Sequence, residues 1–524
     1  MTDGGDDDFE GSEIQDALES IGLSAALIFG ATLVSQGLGF LTRVTMARYL
    51  PVDGYGNVVI GISVLNLFGL VALAGMPAAL SRYLPRKETE AERRAVLSSA
   101  FQVVGVLSLV VATVIYLAAG PIASLIFGND DLVWIVRIFA GVLPFYATLK
   151  MCLGGFRGYE STYPRVITQN VLRPGLQLAG IVAFVLLGYG TTGIAFAYAV
   201  AFIGVAVVGI WLLYRVSEFR VRDFARRGST GRYRELLTFS VPLAASGAIN
   251  VIAKHSDLVL LGIFKSSSEV GVYEVSFRMA VFVPLLFTPA LGYLFQPIVS
   301  RFDANDERER MNELYTVATR WMIVASFPVF ALFFLFPDQT LGFFFGESYR
   351  TGQTALQVLL VGFLISLLPG LTGNFLTAVG ETKLLMYISA ATMLLNIAVN
   401  VALIPLYGII GAALATATAR TLNNFVQSYF VYRKHGVSPF DVDYVVPTAL
   451  MLSIFITIYL TPIPFDRLSF VEGISVATSF GLLFLVVLLV TRSIYAVELE
   501  LIDGLLERIG VPISVANCLQ PFVR

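Results

Sequence analysis

The stretch YGTTGIAFAYAVA at Tyr189–Ala201 returns as YGIIGAALATATA at Tyr407–Ala419, with the tyrosine, both glycines and four alanines in register. Small residues alone account for part of that agreement, because closely packed membrane helices are rich in Gly and Ala. A displacement of about 215 to 221 residues also relates Gly56 to Gly271, Ser81-Arg82 to Ser300-Arg301 and Glu160 to Glu381. Chance is a poor explanation for four collinear matches, and an internal duplication is the simpler one.

The sequence around the repeat shows what is duplicated. Of 524 residues, 56% are hydrophobic and only 14% charged, and the mean hydropathy is +0.77, outside the range of soluble domains. The apolar residues form blocks of roughly twenty, the length of a helix that crosses a bilayer, rather than alternating segments of about ten. Six such blocks precede an Arg-rich linker: Leu23 to Thr45, Tyr55 to Leu80, Ala95 to Ala119, Leu132 to Gly154, Val166 to Leu187 and Gly193 to Leu213. Six follow it: Leu237 to Phe264, Val272 to Ile298, Val317 to Phe336, Ala355 to Leu376, Leu385 to Ile404 and Ile409 to Val431. Two more, Tyr444 to Thr461 and Val471 to Val490, lie beyond the duplication. The expected protein is all-α and polytopic, with about fourteen transmembrane helices. Two pseudo-symmetric six-helix lobes, 23–214 and 237–433, enclose a central cavity, the linker is 215–236, and two extra C-terminal helices occupy 444–490.

Basic residues test this topology, since they gather in cytoplasmic loops. The loops after even-numbered spans hold Arg82, Arg86, Lys87, Arg93 and Arg94, then Arg157 and Arg165, then seven arginines of the linker from Arg215 to Arg234. Later even loops hold Arg301, Arg308, Arg310, Lys383, Arg433 and Lys434, whereas odd loops carry little beyond Arg48, Lys265, Arg350 and Arg467. Both termini are therefore expected in the cytoplasm of a multi-pass cell-membrane protein, with residues 1–22 an acidic tail lacking signal-peptide features. Residues 491–524 begin with SIYAVELELIDGLLERI, whose Ile494, Val497, Leu501, Leu505 and Ile509 share one face, and read as an amphipathic helix on the cytoplasmic surface.

An ionisable side chain within a span costs about 2.5–3.5 kcal/mol on insertion scales, so those that persist face a wet cavity or a partner. Arg43 and Arg48 stand toward the outer end of the first span, Lys254, His255 and Asp257 in the outer half of the seventh, and Arg278 in the outer part of the eighth. Spans one and seven are repeat equivalents, so their basic groups are expected to face a shared space suited to phosphate or pyrophosphate. Arg173 joins this candidate set, and Asn250, Asn396 and Asn400 are candidates for sugar hydroxyls or for hydrogen bonds between helices. Purely structural roles compete with these. Lys254 and Asp257 at i, i+3, or Glu274 and Arg278 at i, i+4, neutralise each other if they pair. Arg43 and Arg48 serve equally as interface anchors, and Arg137 and Arg173 are placed to snorkel.

Catalytic signatures are sparse. The sequence shows no P-loop, HExxH, CxxC or GxSxG, and Asp441-Val-Asp443 reads as a solvated loop rather than a sugar-nucleotide metal motif. Neither an enzyme nor a resident cofactor is expected, and an ion gradient of Na+ or H+, or the gradient of the cargo itself, must drive any transport.

GLGFLTRVTMARYLPVDGYGNVV, SDLVLLGIFKSSSEVGVYEVSFRMA and LLNIAVNVALIPLYGIIGAALATATAR, taken in order over about residues 23 to 433, resemble the Wzx-type polysaccharide flippases of the multidrug/oligosaccharidyl-lipid/polysaccharide exporter superfamily. That resemblance implies two six-helix lobes in a V and movement of undecaprenyl- or dolichyl-linked sugars to the outer face. By position, Arg43, Asp257 and Arg278 match the family's polar membrane sites. The two additional helices also resemble the lipid II flippase branch. The expected cargo is a lipid-linked sugar for surface polysaccharide or glycoprotein synthesis, an archaeal N-glycosylation role with a dolichyl carrier included. Membrane lipids and glycan assembly enzymes are the expected partners, and nucleic acid is not. The alternatives are a lipid II-type flippase, an ion-coupled multidrug exporter, or a membrane glycan polymerase or ligase.

Overall fold

The computed structural model describes residues 30–217, 223, 230–285, 288–462, 465, 468–494 and 498. Among them there is no strand, and ten helices are long and apolar enough to cross a membrane. The protein is an all-α, multi-pass membrane protein. The acidic tail, most of the Arg-rich linker and nearly all of the C-terminal amphipathic segment lie outside the described residues.

Two compact units divide the chain, Met1–Gly271 and Val272–Arg524. The first contains α1 (residues 30–49), α2 (Val52–Leu73), α3 (Met76–Tyr83), α4 (Glu90–Pro121), α5 (Leu132–Gly158), α6 (Thr162–Val166), α7 (Arg173–Leu186), α8 (Thr191–Ser217) and α9 (Thr230–Phe264). The predicted second span is broken at Ala74-Gly75 into α2 and α3, both residues adopting left-handed backbone angles. Thr89 and Glu92 form a reciprocal capping box that starts α4 by satisfying two otherwise orphaned backbone donors. The core of this unit is α5, which packs on α2, α3, α4 and α8. The unit also takes in α9, which packs on α2, α3 and α4 although the duplication would group it with the second lobe.

One close approach in this unit depends on glycine. A Cβ on Gly56 of α2 would overlap the backbone oxygen of Ser267, and one on Gly271 would lie 2.8 Å from the oxygen of Val52. Gly271 belongs to α10 (Ser267–Leu285), so the two repeat-related glycines identified in the sequence meet face to face. Beside them the Asn129 amide donates to Asn57 Oδ1 at 3.1 Å and to Ser267 Oγ at 3.0 Å.

The second unit continues with α11 (Thr288–Ala304), α12 (Arg308–Leu335), α13 (Pro337–Phe345), α14 (Gln353–Leu367), α15 (Thr372–Ala378), α16 (Thr382–His435), α17 (Val442–Leu460) and α18 (Phe470–Val490). The 54-residue α16 carries the predicted eleventh and twelfth spans, which turn at Gly408 (φ 54, ψ −130), three residues after Pro405. Only glycine adopts that conformation readily, and proline removes a helical donor just before it. The two helices beyond the duplication are fastened to α12 by aromatic packing, the Phe327 ring lying 5.6 Å from Phe455 and 5.4 Å from Phe484. Nearby, the fully buried Arg320 forms an ion pair with Glu498, whose second oxygen accepts from the Trp321 indole at 2.8 Å.

Candidate functional site

In the first unit the intramembrane basic residues converge on α5. Lys150 is half-buried, with its ammonium 5.3 Å from the centre of the Tyr146 ring. It lies within electrostatic reach of Arg173, Arg157 and Lys254, so α5, α7 and α9 all contribute positive charge to one region. Arg173 is half-buried at the start of α7, close enough to interact with the phenols of Tyr146 and Tyr198 and with the Arg43 guanidinium. Its Nε is buried without a hydrogen-bond partner. The Tyr146 hydroxyl points to Asn66 Oδ1 at 3.4 Å, and the Asn66 amide is anchored on the Ile62 carbonyl at 2.8 Å. Among the described residues neither Lys150, Arg173 nor Lys254 has a carboxylate partner.

The other candidates of this unit are less uniform. Arg43 is half-buried on α1 and donates from Nη1 to the Gly39 carbonyl at 2.8 Å, while Arg48 is exposed near the end of the same helix. On α9, Lys254 is exposed but Asp257 is buried and accepts from Ser256 Oγ at 3.5 Å, so the neutralising i, i+3 pair does not form. Asn250 lies in α9, and its side chain is outside the described residues. Arg137 stacks between Tyr116 at 5.4 Å and Trp134 at 5.3 Å, two exposed rings of the kind that line a membrane interface.

In the second unit, Arg278 follows the structural alternative, with its Nε 2.6 Å from Glu274 Oε1 one helical turn earlier. Asn396 and Asn400 are buried in the first half of α16, the Asn400 amide donating to Asn396 Oδ1 at 3.1 Å. In the second half, the Thr416 hydroxyl meets that of Tyr273 at 3.0 Å. Among the described residues no group of three or more His, Cys, Asp or Glu is placed to hold a metal ion.

The structure thus places Arg173 and Lys254 within electrostatic reach of Lys150, and Arg43 within reach of Arg173, and assigns Arg278, Asn396 and Asn400 to the other unit. Sequence reasoning overlooked Lys150 and, in the second unit, Arg420. Lys150 stands four residues before the end of a predicted span and Arg420 in the middle of another, so the rule for charges within spans applied to both.

The arrangement has relatives. The family described as polysaccharide biosynthesis protein matches residues 22–302, and the MatE family matches residues 242–402. The probable low-salt glycan biosynthesis flippase Agl15 of Haloferax volcanii is 24% identical over 418 residues, which are 79% of this chain and 83% of that protein. The lipid II flippase MurJ of Bacillus subtilis is 21% identical, covering 80% of this chain and 84% of that one. In three dimensions, a lipid II flippase MurJ in an inward closed conformation superposes with a TM-score of 0.69 at 15% identity, over 88% of this chain and 98% of the other. That likeness is one of fold.

Proposed function

The chain belongs to the polysaccharide biosynthesis protein family, and from that premise we propose that it carries a polyprenyl- or dolichyl-phosphate- or pyrophosphate-linked sugar from the cytoplasmic to the outer leaflet. The observation that supports this reading is the group of Lys150, Arg173 and Lys254, which share a membrane-spanning region and none of which is paired with a carboxylate among the described residues. Uncompensated cations are expensive in a low-dielectric wall, and an acidic head group supplies the missing charge on arrival. The same positive field disfavours cationic drugs, which need acidic walls.

Transport rather than bond making is the proposed activity, by alternating access of the two duplicated lobes with both termini in the cytoplasm. In this topology the Gly56–Gly271 contact and the Asn129 hydrogen bonds lie at the outer end of the first unit. The product feeds surface polysaccharide or glycoprotein assembly.

The test is deletion followed by sidedness analysis of lipid-linked glycans, with rescue by the natural chain and by Lys150→Gln and Arg173→Gln. Deletion is expected to trap the glycan on the cytoplasmic leaflet, the natural chain to release it, and either variant to release it about tenfold more slowly, as expected for one lost charge-assisted contact. Normal sidedness after deletion, with loss of polymer or transfer, would refute flipping and leave an enzyme.

A further inference from the structure

On the second half of α16, Thr416, Arg420, Asn423 and Gln427 follow at steps of four, three and four and so share one face. The opposite face presents Leu414, Leu422 and Phe425 to an apolar groove completed by Phe334 and Val358. The polar face is therefore turned away from that groove, toward neighbouring segments of the second unit. Its neutral members are satisfied by neighbours. Thr416 meets Tyr273, Asn423 Oδ1 accepts from Thr392 at 3.1 Å, and Gln427 Oε1 accepts from Thr372 at 2.9 Å.

Arg420 is the exception. Its guanidinium lies 4.3 Å from the centre of the buried Phe363 ring, it is exposed, and it has no ion pair or hydrogen bond among the described residues. Phe363 is held edge-on by Phe277 at 5.9 Å, and over Phe277 lies Arg278 at 5.8 Å. One aromatic pair thus carries two arginines. Arg278 is neutralised by Glu274 at 2.6 Å, and Arg420 keeps its full charge and its fork of donors for something that arrives. A ring orients a guanidinium without using any of its N–H groups.

We propose that Arg420, seated on Phe363, is a second contact for the phosphate-bearing head group of the lipid-linked cargo, built into the second unit independently of the Lys150 cluster. This rests on the flippase reading, and the experiment separates the two. Farnesyl pyrophosphate is titrated into the full-length chain in phosphatidylcholine nanodiscs, with uncharged farnesol as the comparison and thermal unfolding as a check on each variant. Arg420→Gln is expected to weaken farnesyl pyrophosphate binding about tenfold and leave farnesol unchanged, the loss expected for a charge-assisted contact. Arg420→Lys recovers part of that loss through its charge. Phe363→Leu, which removes the platform and keeps the arginine, weakens the same probe about threefold, and it serves if Arg420→Gln does not fold. Wild-type affinity in Arg420→Gln, alongside weakened binding in Lys150→Gln, overturns the role of Arg420 and leaves the function standing. Equal losses in Arg420→Gln and Arg420→Lys for both probes make the residue structural and also overturn the proposal. If the natural chain does not bind farnesyl pyrophosphate at all, the flippase reading falls with it.

Discussion

Cations inside the membrane-spanning helices are treated differently in the two units. In the second, Arg278 has Glu274 at 2.6 Å, Arg320 has Glu498, and Arg350, just beyond α13, has Asp338 at 2.7 Å. In the first, Lys150, Arg173 and Lys254 share a region with two phenols and an asparagine but no acid partner among the described residues. A paired cation closes its local electrostatics and holds helices together, and its removal is felt as instability. An unpaired one leaves a standing positive potential, and its removal is felt by a ligand. Among the described residues Arg420, in the middle of a predicted span, departs from that pattern, with its guanidinium on the Phe363 ring and no acid partner.

Three changes probe this contrast. The largest effect is expected from Lys150→Glu, which places an acid among the first unit's cations. Glycan flipping should fall by more than about a hundredfold because an attraction becomes a repulsion, while the protein stays folded. Sidedness analysis beside a thermal melt measures both, and unchanged transport would remove Lys150 from the site. Next is Glu498→Gln, which leaves Arg320 buried beside a neutral amide. A loss of about 3–5 kcal/mol in stability is expected, with transport per folded molecule preserved. Melting of the purified chain reads this, and a melting temperature equal to the natural chain's would mean the ion pair contributes nothing. Smallest is Glu274→Gln, because Arg278 is one-third exposed and reaches solvent. It should cost about 1 kcal/mol and tighten binding of a pyrophosphate probe about two- to threefold by releasing a cation. Weaker binding would show that Glu274 orients Arg278 rather than silencing it.

Much of this fold was legible because bilayer length and repeat spacing are both written along the chain. Each predicted apolar block is mostly helix where it is described, the second broken at Ala74-Gly75 and the tenth at 368–371, and the Glu274–Arg278 pair follows from helical spacing alone. Spacing did not suffice for Lys254 and Asp257, whose side chains diverge into exposed and buried surroundings. Lys150 was overlooked because a lysine near a span end looks free to reach the interface, and only the neighbouring helices show that it lies within electrostatic reach of Arg173. Arg420 was hidden directly after a run of small residues that had already served as the repeat signature. The grouping of α9 with the first unit depends on contacts across the chain that no local pattern encodes.

The seam between α2 and α10 has no clearance. With hydrogen as the side chain on both sides, backbone already rests on backbone, and even a methyl on Gly56 would overlap the Ser267 oxygen. Any side chain larger than hydrogen at either position must push α2 and α10 apart, so the spacing of these two helices is set by two missing methyl groups.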